Sequence, residues 1–348
     1  MLSRSPGRLA VRAGVSGVLR TRLVLLWPVL AVITLVAFCL TVAYGSGDYP
    51  VPLDRVVPAL LGAGEATDVL VVTKLRLPRV VVALLAGAAF GLAGAVFQGV
   101  TRNPLASPDM LGITHGAGAA VTVGLVLGAG AGSQLLGLGG ALAAGALIYV
   151  LAWKRGTTGY RIVLVGIGVS WMCVSLTSYL LSKVETHQAQ KIVGWLVGSL
   201  NGRGWSDARP LALALALLLP VLILLARLQR TLSLGDEVAA GLGTPVQRTR
   251  MALLLIACAL AAFATAAAGP VLFVALAAPQ LAQRLARTAT PPVTSAALTG
   301  ASLVMISDLI SVRVMDDTAL PVGVVTGVLG APFLLWQLAR TSTTGTGG

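Results

Sequence analysis

The run LVLLWPVLAVITLVAFCLTVAY, residues 23 to 44, contains no charged residue. About 20 apolar residues suffice to cross a hydrocarbon core. Lipid offers no partner for a backbone N–H or C=O, so such a run has to be helical. Comparable runs recur along the chain, for example LALALALLLPVLILLA at 211 to 226. Expected spans fall at 23–44, 80–99, 109–129, 135–153, 162–182, 210–228, 251–269, 271–286, 293–313 and 320–339. Gly and Ala blur the ends of the third, fourth and eighth. Only 11% of the 348 residues are charged, against about 25% in a soluble domain. The fold class that follows is an all-α polytopic membrane protein with about ten transmembrane helices and no soluble domain.

Charge orients those spans. Residues 1–22 carry five arginines and no acid. The apolar run behind them is too long for a signal-peptide core and lacks a clean A-x-A site, so an uncleaved first span is expected. With an inside N-terminus, 16 of the 25 basic residues lie on the cytoplasmic side with Asp109, Asp236 and Glu237, whereas nine basic and eight acidic residues lie outside. Asp308 falls within a span. Nearly all of the +13 net charge thus sits on one face, as the positive-inside bias requires for an even number of spans with both termini cytoplasmic. A nucleic-acid partner is not needed to explain it. The expected division is a basic segment 1–22, one transmembrane domain 23–340 and a tail 341–348.

Several polar or broken segments stand out. TRNPLASPDMLG, residues 101–112, interrupts two glycine-rich runs, and Pro104 and Pro108 prevent a continuous helix. In SLGDEVAAGLGTPVQR, Leu234, Val238 and Leu242 share one helical face, Asp236 and Glu237 suit the helix start, Ser233 is a candidate cap, and Gly243 with Pro245 ends the helix. Two acids at the start are unlike the basic face of a surface-lying helix, which favours a helix that docks a partner. VPLDRVVPALLG reads as a short interfacial helix. Trp195 and Trp205, in an apolar connection too short to span, are expected at headgroup depth. Lys74, Arg76 and Arg79 read as snorkelling anchors, with a basic rim for an acidic partner as the alternative. Gly87, Gly91 and Gly94 share a helical face suited to close packing.

Catalytic signatures are missing. None of the four lysines follows a glycine and precedes Ser or Thr, so there is no P-loop. His115 and His187 have no second ligand at metal spacing, and Cys39, Cys173 and Cys258 form no CxxC pair. No metal site and no cofactor are expected in this chain. Asp308 is the one carboxylate placed inside a span; a hydrogen-bonded structural role is preferred for it over proton coupling.

The run LRLPRVVVALLAGAAFGLAGAVFQGVTRNPLASPDMLGITHGAGAA, 75–120, resembles the signature of permease subunits of bacterial iron-siderophore, haem and cobalamin ABC importers. LGDEVAAGLGTPVQRTR (234–250) and LPVGVVTGVLGAPFLLWQLAR (320–340) resemble the same family in the same order. RIVLVGIGVS (161–170), GSLNGRGW (198–205) and AGPVLFVALAAPQLAQRL (268–285) are most similar to the second permease of ferric enterobactin-type systems. The resemblance implies ten helices with both termini inside and alternating access between two permease subunits in the bacterial cytoplasmic membrane. It implies a paralogous second permease, two P-loop ATPase subunits that bind ATP and Mg, an extracytoplasmic binding protein and ferric siderophore as cargo, in a lipid environment. It places a cytoplasmic gate at Asn103 and Leu105 with a second gate loop at Thr158, Gly159 and Tyr160. It places the ATPase-coupling helix on Leu234 to Gly243, including Gly235, Asp236, Glu237, Val238 and Ala239, and binding-protein docking on Arg76, Arg79 and, shifted by one position, Arg313. The chain departs from the family at Pro279–Gln280, where Pro-His is common, at Leu272 and Ala275 in place of glycines, and at Ala319 in place of glutamate.

Haem or cobalamin is the alternative cargo. A different class is an ion-coupled secondary transporter using Asp308, and a membrane-embedded enzyme ranks last for want of a His, Asp or Glu cluster.

Overall fold

A computed structural model of the chain describes residues 2–5, 8–13, 15–45, 49, 51–129, 132–153, 159–314 and 320–342. The body is helical. α1 (Thr21–Tyr44) is followed by the short helices α2 (Leu53–Leu60) and α3 (Ala66–Leu70), and α3 runs through a π-helical stretch, Val71–Arg76, into α4 (Leu77–Thr101). Then come α5 (Ile113–Val126), α6 (Ser133–Ala152), α7 (Gly159–Leu181), α8 (Thr186–Leu196) and α9 (Trp205–Leu232). The chain ends with α10 (Asp236–Gly241), α11 (Val246–Ala268), α12 (Val274–Ala286), α13 (Val293–Arg313) and α14 (Val322–Ser342). Ahead of α1, where the sequence suggests only a basic segment, β1 (Leu2–Ser5), β2 (Arg8–Ala13) and β3 (Val15–Arg20) pair antiparallel in the order β1-β2-β3.

Ten of these helices coincide with the ten expected spans, and seven among the described residues are long and apolar enough to cross a membrane. Two are markedly short. α5 has 14 residues and α12 has 13, about 20 Å each at 1.5 Å per residue. Both start late, where the sequence supplies Pro108 and Gly112 before α5 and Gly269 and Pro270 before α12, and α5 also ends three residues before its expected limit. The expected spans 109–129 and 271–286 therefore begin in non-helical chain.

α4 is the axis of the fold. It packs against α13, α11, α9 and α12 and is buried all round from Ala89 to Val100, as a helix without a polar face must be. The glycine face lets it do so. A Cβ on Gly91 would run into the carbonyl of Ala296, and one on Gly94 into the carbonyl of Ala275. Close backbone approach replaces side-chain interdigitation at this crossing.

The two tryptophans of the 183–209 connection are placed differently from each other. Trp195 is buried at the end of α8, and only Trp205, whose indole N–H donates to the Thr73 carbonyl at 3.1 Å, sits among partly exposed residues. The connection folds as a helix plus a loop packed on the body, with Ile192, Trp195 and Leu200 buried and Val193 exposed. The short helix expected in VPLDRVVPALLG forms as α2, with Val56 and Ala59 buried and Val57 and Leu60 exposed.

Candidate functional site

α4 ends where Arg102 adopts a left-handed conformation, φ 54°. Asn103 then closes an Asx turn, its Oδ1 accepting the Leu105 N–H at 2.9 Å. Gly112, φ 86°, starts α5. The loop between does not stay at the membrane surface. At its base Thr101 lies against Gly159, the first residue of α7. At its top the Met110 carbonyl accepts the Ser170 hydroxyl at 3.2 Å, and a Cβ on Gly166 would sit 2.9 Å from Leu111 Cα. Gly159 to Ser170 along α7 is about 16 Å of rise. Residues 102–112 thus climb to mid-depth, a course that non-helical chain takes only where protein or a watered cavity surrounds it.

The climb carries Asp109 with it. The Thr114 hydroxyl donates to Asp109 Oδ1 at 2.7 Å, and both side chains line a cavity of about 270 Å³ with His115, Thr177 and Ser178. Pro270 and Leu272, from the extended lead into α12, close its other wall. Asp109 is therefore not a surface acid, and Asp308 is not the one carboxylate at membrane depth. Sequence reasoning missed it because an acid beside a proline-rich turn looks like ordinary loop polarity. The available signal was the spacing between Pro108 and the polar pair Thr114–His115.

A second cavity, about 630 Å³, opens at the α10 end of the bundle. It is lined by Pro104 of the same loop and by a chain of buried amides. Gln280 donates to Gln98 Oε1 at 2.6 Å, Gln98 donates to the Leu276 carbonyl at 3.1 Å, and Gln337 donates to Gln280 Oε1 at 3.0 Å. Gln280, one of the departures from the family resemblance, links α4, α12 and α14 through one side chain.

Of the gate residues expected from sequence, Asn103 and Leu105 are half-buried at the foot of the climb, and Tyr160 is exposed beside Gly159. The two expected gate segments are adjacent through Thr101 and Gly159. Thr158 lies outside the described residues.

The amphipathic segment 234–243 forms α10, bracketed by Gly235 at φ 111° and Gly243 at φ 79°. Leu234, Val238 and Leu242 are 61%, 51% and 61% exposed, a free apolar face, while Ala239 is fully buried. The two acids diverge. Glu237 is exposed, whereas Asp236 is bound to Arg250 at 2.7 Å and Arg102 at 3.2 Å. The Arg250 hydrogen bond holds the Asp236 carboxyl below its usual range. Arg250 is 2% exposed, so Asp236 is the tether that fixes α10 to α11 and to the base of the climbing loop. Ser233 does not cap the helix; its hydroxyl donates to the Arg230 carbonyl.

At the opposite end the three expected docking arginines also separate. Arg76 is buried and donates to the carbonyls of Val42, Ala43 and Tyr49, which ties the end of α1 to the start of α4. Arg79 is buried against Asp308, Nη2 to Oδ1 at 2.7 Å, and also donates to Asn201 Oδ1 at 2.7 Å. Arg313 is exposed, its guanidinium 4.6 Å from the Tyr44 ring centroid. No group of three or more His, Cys, Asp or Glu that could hold a metal occurs among the described residues.

A helical body with two half-helices and a tethered external helix can be set against known proteins. The FecCD transport family profile matches residues 33–340. The chain is a member of the FecCD transport family. It is 40% identical over 302 residues to the ferric enterobactin transport system permease protein FepG of Escherichia coli (strain K12), covering 85% of this chain and 91% of that one. The iron(3+)-hydroxamate import system permease protein FhuG of Bacillus subtilis (strain 168) is 36% identical, with 83% and 89% covered. The Fe(3+) dicitrate transport system permease protein FecD of E. coli is 35% identical, with 87% and 95% covered. Among solved structures, an inward-facing metal-chelate type ABC transporter superposes with a TM-score of 0.80 at 24% identity, covering 91% of this chain and 99% of that one. The FecCD permease fold thus extends across the transmembrane body.

Proposed function

We propose that this chain is one permease subunit of an ATP-driven importer that moves ferric siderophore across the bacterial cytoplasmic membrane by alternating access. The observation that carries the reading is α10: an exposed apolar face and Glu237, held rigidly by the Asp236 tether, on a chain with no P-loop of its own. Such an element transmits force only if another protein grips it. Two copies of an ATPase that binds ATP and Mg are the partners that suit it, with α10 and both termini on the cytoplasmic side. The likeness to ferric-chelate permeases over most of the chain supports iron chelates as cargo, ahead of haem or cobalamin. A paralogous permease completes the path, and an extracytoplasmic binding protein delivers the cargo.

In this reading Asn103, Leu105, Gly159 and Tyr160 form this subunit's half of the inner gate, with Thr158 next to them in sequence. Binding-protein docking falls directly on Arg313, while Arg76 and Arg79 hold the surrounding rim in shape. The chain performs no covalent chemistry. Coupling to an ion gradient through Asp308 is disfavoured, because that carboxylate is fully buried and already bound to Arg79.

The test is reconstitution in proteoliposomes of this chain with its partner permease, ATPase and binding protein, measuring uptake of radiolabelled ferric enterobactin, ferric citrate and ferric hydroxamate. Uptake of at least one chelate should require ATP and survive collapse of the proton gradient. Uptake that needs the gradient and proceeds without the ATPase would refute the proposal.

A further inference from the structure

The helix wall has a gap at the α10 end. α1 packs on α13 and α4, whereas α9 packs on α11 and α4. Between α1 and α9 lies a groove of about 580 Å³ whose far wall is the connection from α12 to α13. Its deeper sides are apolar: Leu23 and Trp27 from α1, Ile223 and Ala226 from α9. Trp27 is fixed in place by donating its indole N–H to the Ser295 hydroxyl at 2.9 Å. The surfaces flanking the groove, Leu25 on α1 and Leu224 on α9, are exposed apolar side chains of the kind that face lipid.

The lining changes character toward the end of α9. Arg227 and Arg230, three residues apart and therefore on one helical face, both line the groove and are both exposed. Neither takes part in an ion pair among the described residues, and Asp236, just beyond α9, is already engaged by Arg102 and Arg250. Gln229 at the floor donates to the Ala95 carbonyl but keeps its Oε1 without a donor among the described residues. The result is an amphipathic slot at interfacial depth, with two cations at one end and apolar walls leading into the bilayer.

We propose that this groove binds an acidic phospholipid, its phosphate between Arg227 and Arg230 and its chains running down between α1 and α9. Charge and shape select this occupant together. Two exposed guanidiniums on one helical face, with no acidic partner among the described residues, favour an anion, and the apolar walls favour hydrocarbon, which a free phosphate lacks. A basic pocket between helices on the positively biased face is where anionic headgroups concentrate.

The experiment uses the full chain purified with its partner subunits in mild detergent, delipidated, and titrated with phosphatidylglycerol or phosphatidylethanolamine under native mass spectrometry. Phosphatidylglycerol should bind more tightly than phosphatidylethanolamine. Arg227→Gln with Arg230→Gln should weaken phosphatidylglycerol by about 30-fold, the effect of two basic residues at an anionic surface. Lysine at both positions should restore most of the affinity. Ala226→Trp, which fills the groove and keeps both arginines, should also weaken binding, whereas Arg248→Gln, exposed on the same face away from the groove, should not. Equal affinity for the two lipids, an unaffected glutamine pair, or an equal loss in Arg248→Gln would sink the idea. Displacement of the lipid by glycerol phosphate at comparable concentration would assign the site to a soluble anion instead, and so also count against it.

Discussion

At the scale of single residues, buried charge separates structural roles from docking roles. Arg79 and Asp308 are both buried and pair at 2.7 Å. Removing one partner strands the other, at a cost of roughly 3–5 kcal/mol, whereas removing both costs less. Arg79→Ala and Asp308→Ala should each lower the thermal unfolding temperature of the detergent-solubilised protein more than the double variant does. Additive losses in that cycle would show that the two side chains are energetically independent. Arg313, exposed over Tyr44, should behave in the opposite way. Arg313→Glu should leave thermal stability unchanged while weakening binding-protein affinity, with the loss shrinking as salt rises; an affinity that ignores salt would remove Arg313 from the docking surface. The sequence marks Asp308 as unusual, and the family resemblance groups these arginines as docking residues, but neither could divide them. The partners are separated by 229 positions along the chain, and no local pattern encodes which basic residue reaches a given acid.

At the scale of elements, α10 was legible because its cause is local: two glycines, two acids and an apolar triplet four residues apart. What stayed hidden is that its adjacent acids do different work. Asp236→Asn removes the charge that holds Arg250 and Arg102, so it should loosen α10 and reduce transport-coupled ATP hydrolysis even with the ATPase still bound. Glu237→Lys leaves the tether intact and should act on ATPase affinity alone. Pull-down of the ATPase and measurement of transport per ATP separate the two, and identical defects in both assays would contradict the division. The pH dependence follows from the lowered Asp236 carboxyl. A depressed folded pKa stabilises the tether fully above the unfolded carboxylate value of roughly 4, and that contribution is lost as pH falls from there through the folded value. Coupling through Asp236 should therefore be flat across the neutral range. The short helices α5 and α12 were harder to read, since hydropathy registers apolar residues whether they are helical or extended, and only Gly and Pro near 108–112 and 269–270 hint at the break.

At the scale of the whole molecule, a continuous buried axis lies beside a region of interrupted helices. The axis is α4, where glycines bring backbones together. Gly91→Ala puts a methyl group into the Ala296 carbonyl and should destabilise the bundle by roughly 1–3 kcal/mol, read as a lower unfolding temperature; an unchanged value would mean that α13 moves aside freely. Beside it lie the climbing loop and the short helices α5 and α12, which enclose the polar cavity at Asp109, Thr114 and Ser178. If this cavity belongs to the translocation path, its access to water has to change with the ATPase cycle. On a background with Cys39, Cys173 and Cys258 replaced by alanine, Ser178→Cys in the reconstituted complex should react with a membrane-impermeant maleimide at different rates with ATP trapped and without nucleotide. Thr41→Cys, in the same background and buried between α1 and the body, should remain unreactive in both states. A Ser178→Cys rate indifferent to nucleotide would place the cavity off the path and leave Asp109 as part of the loop's own packing.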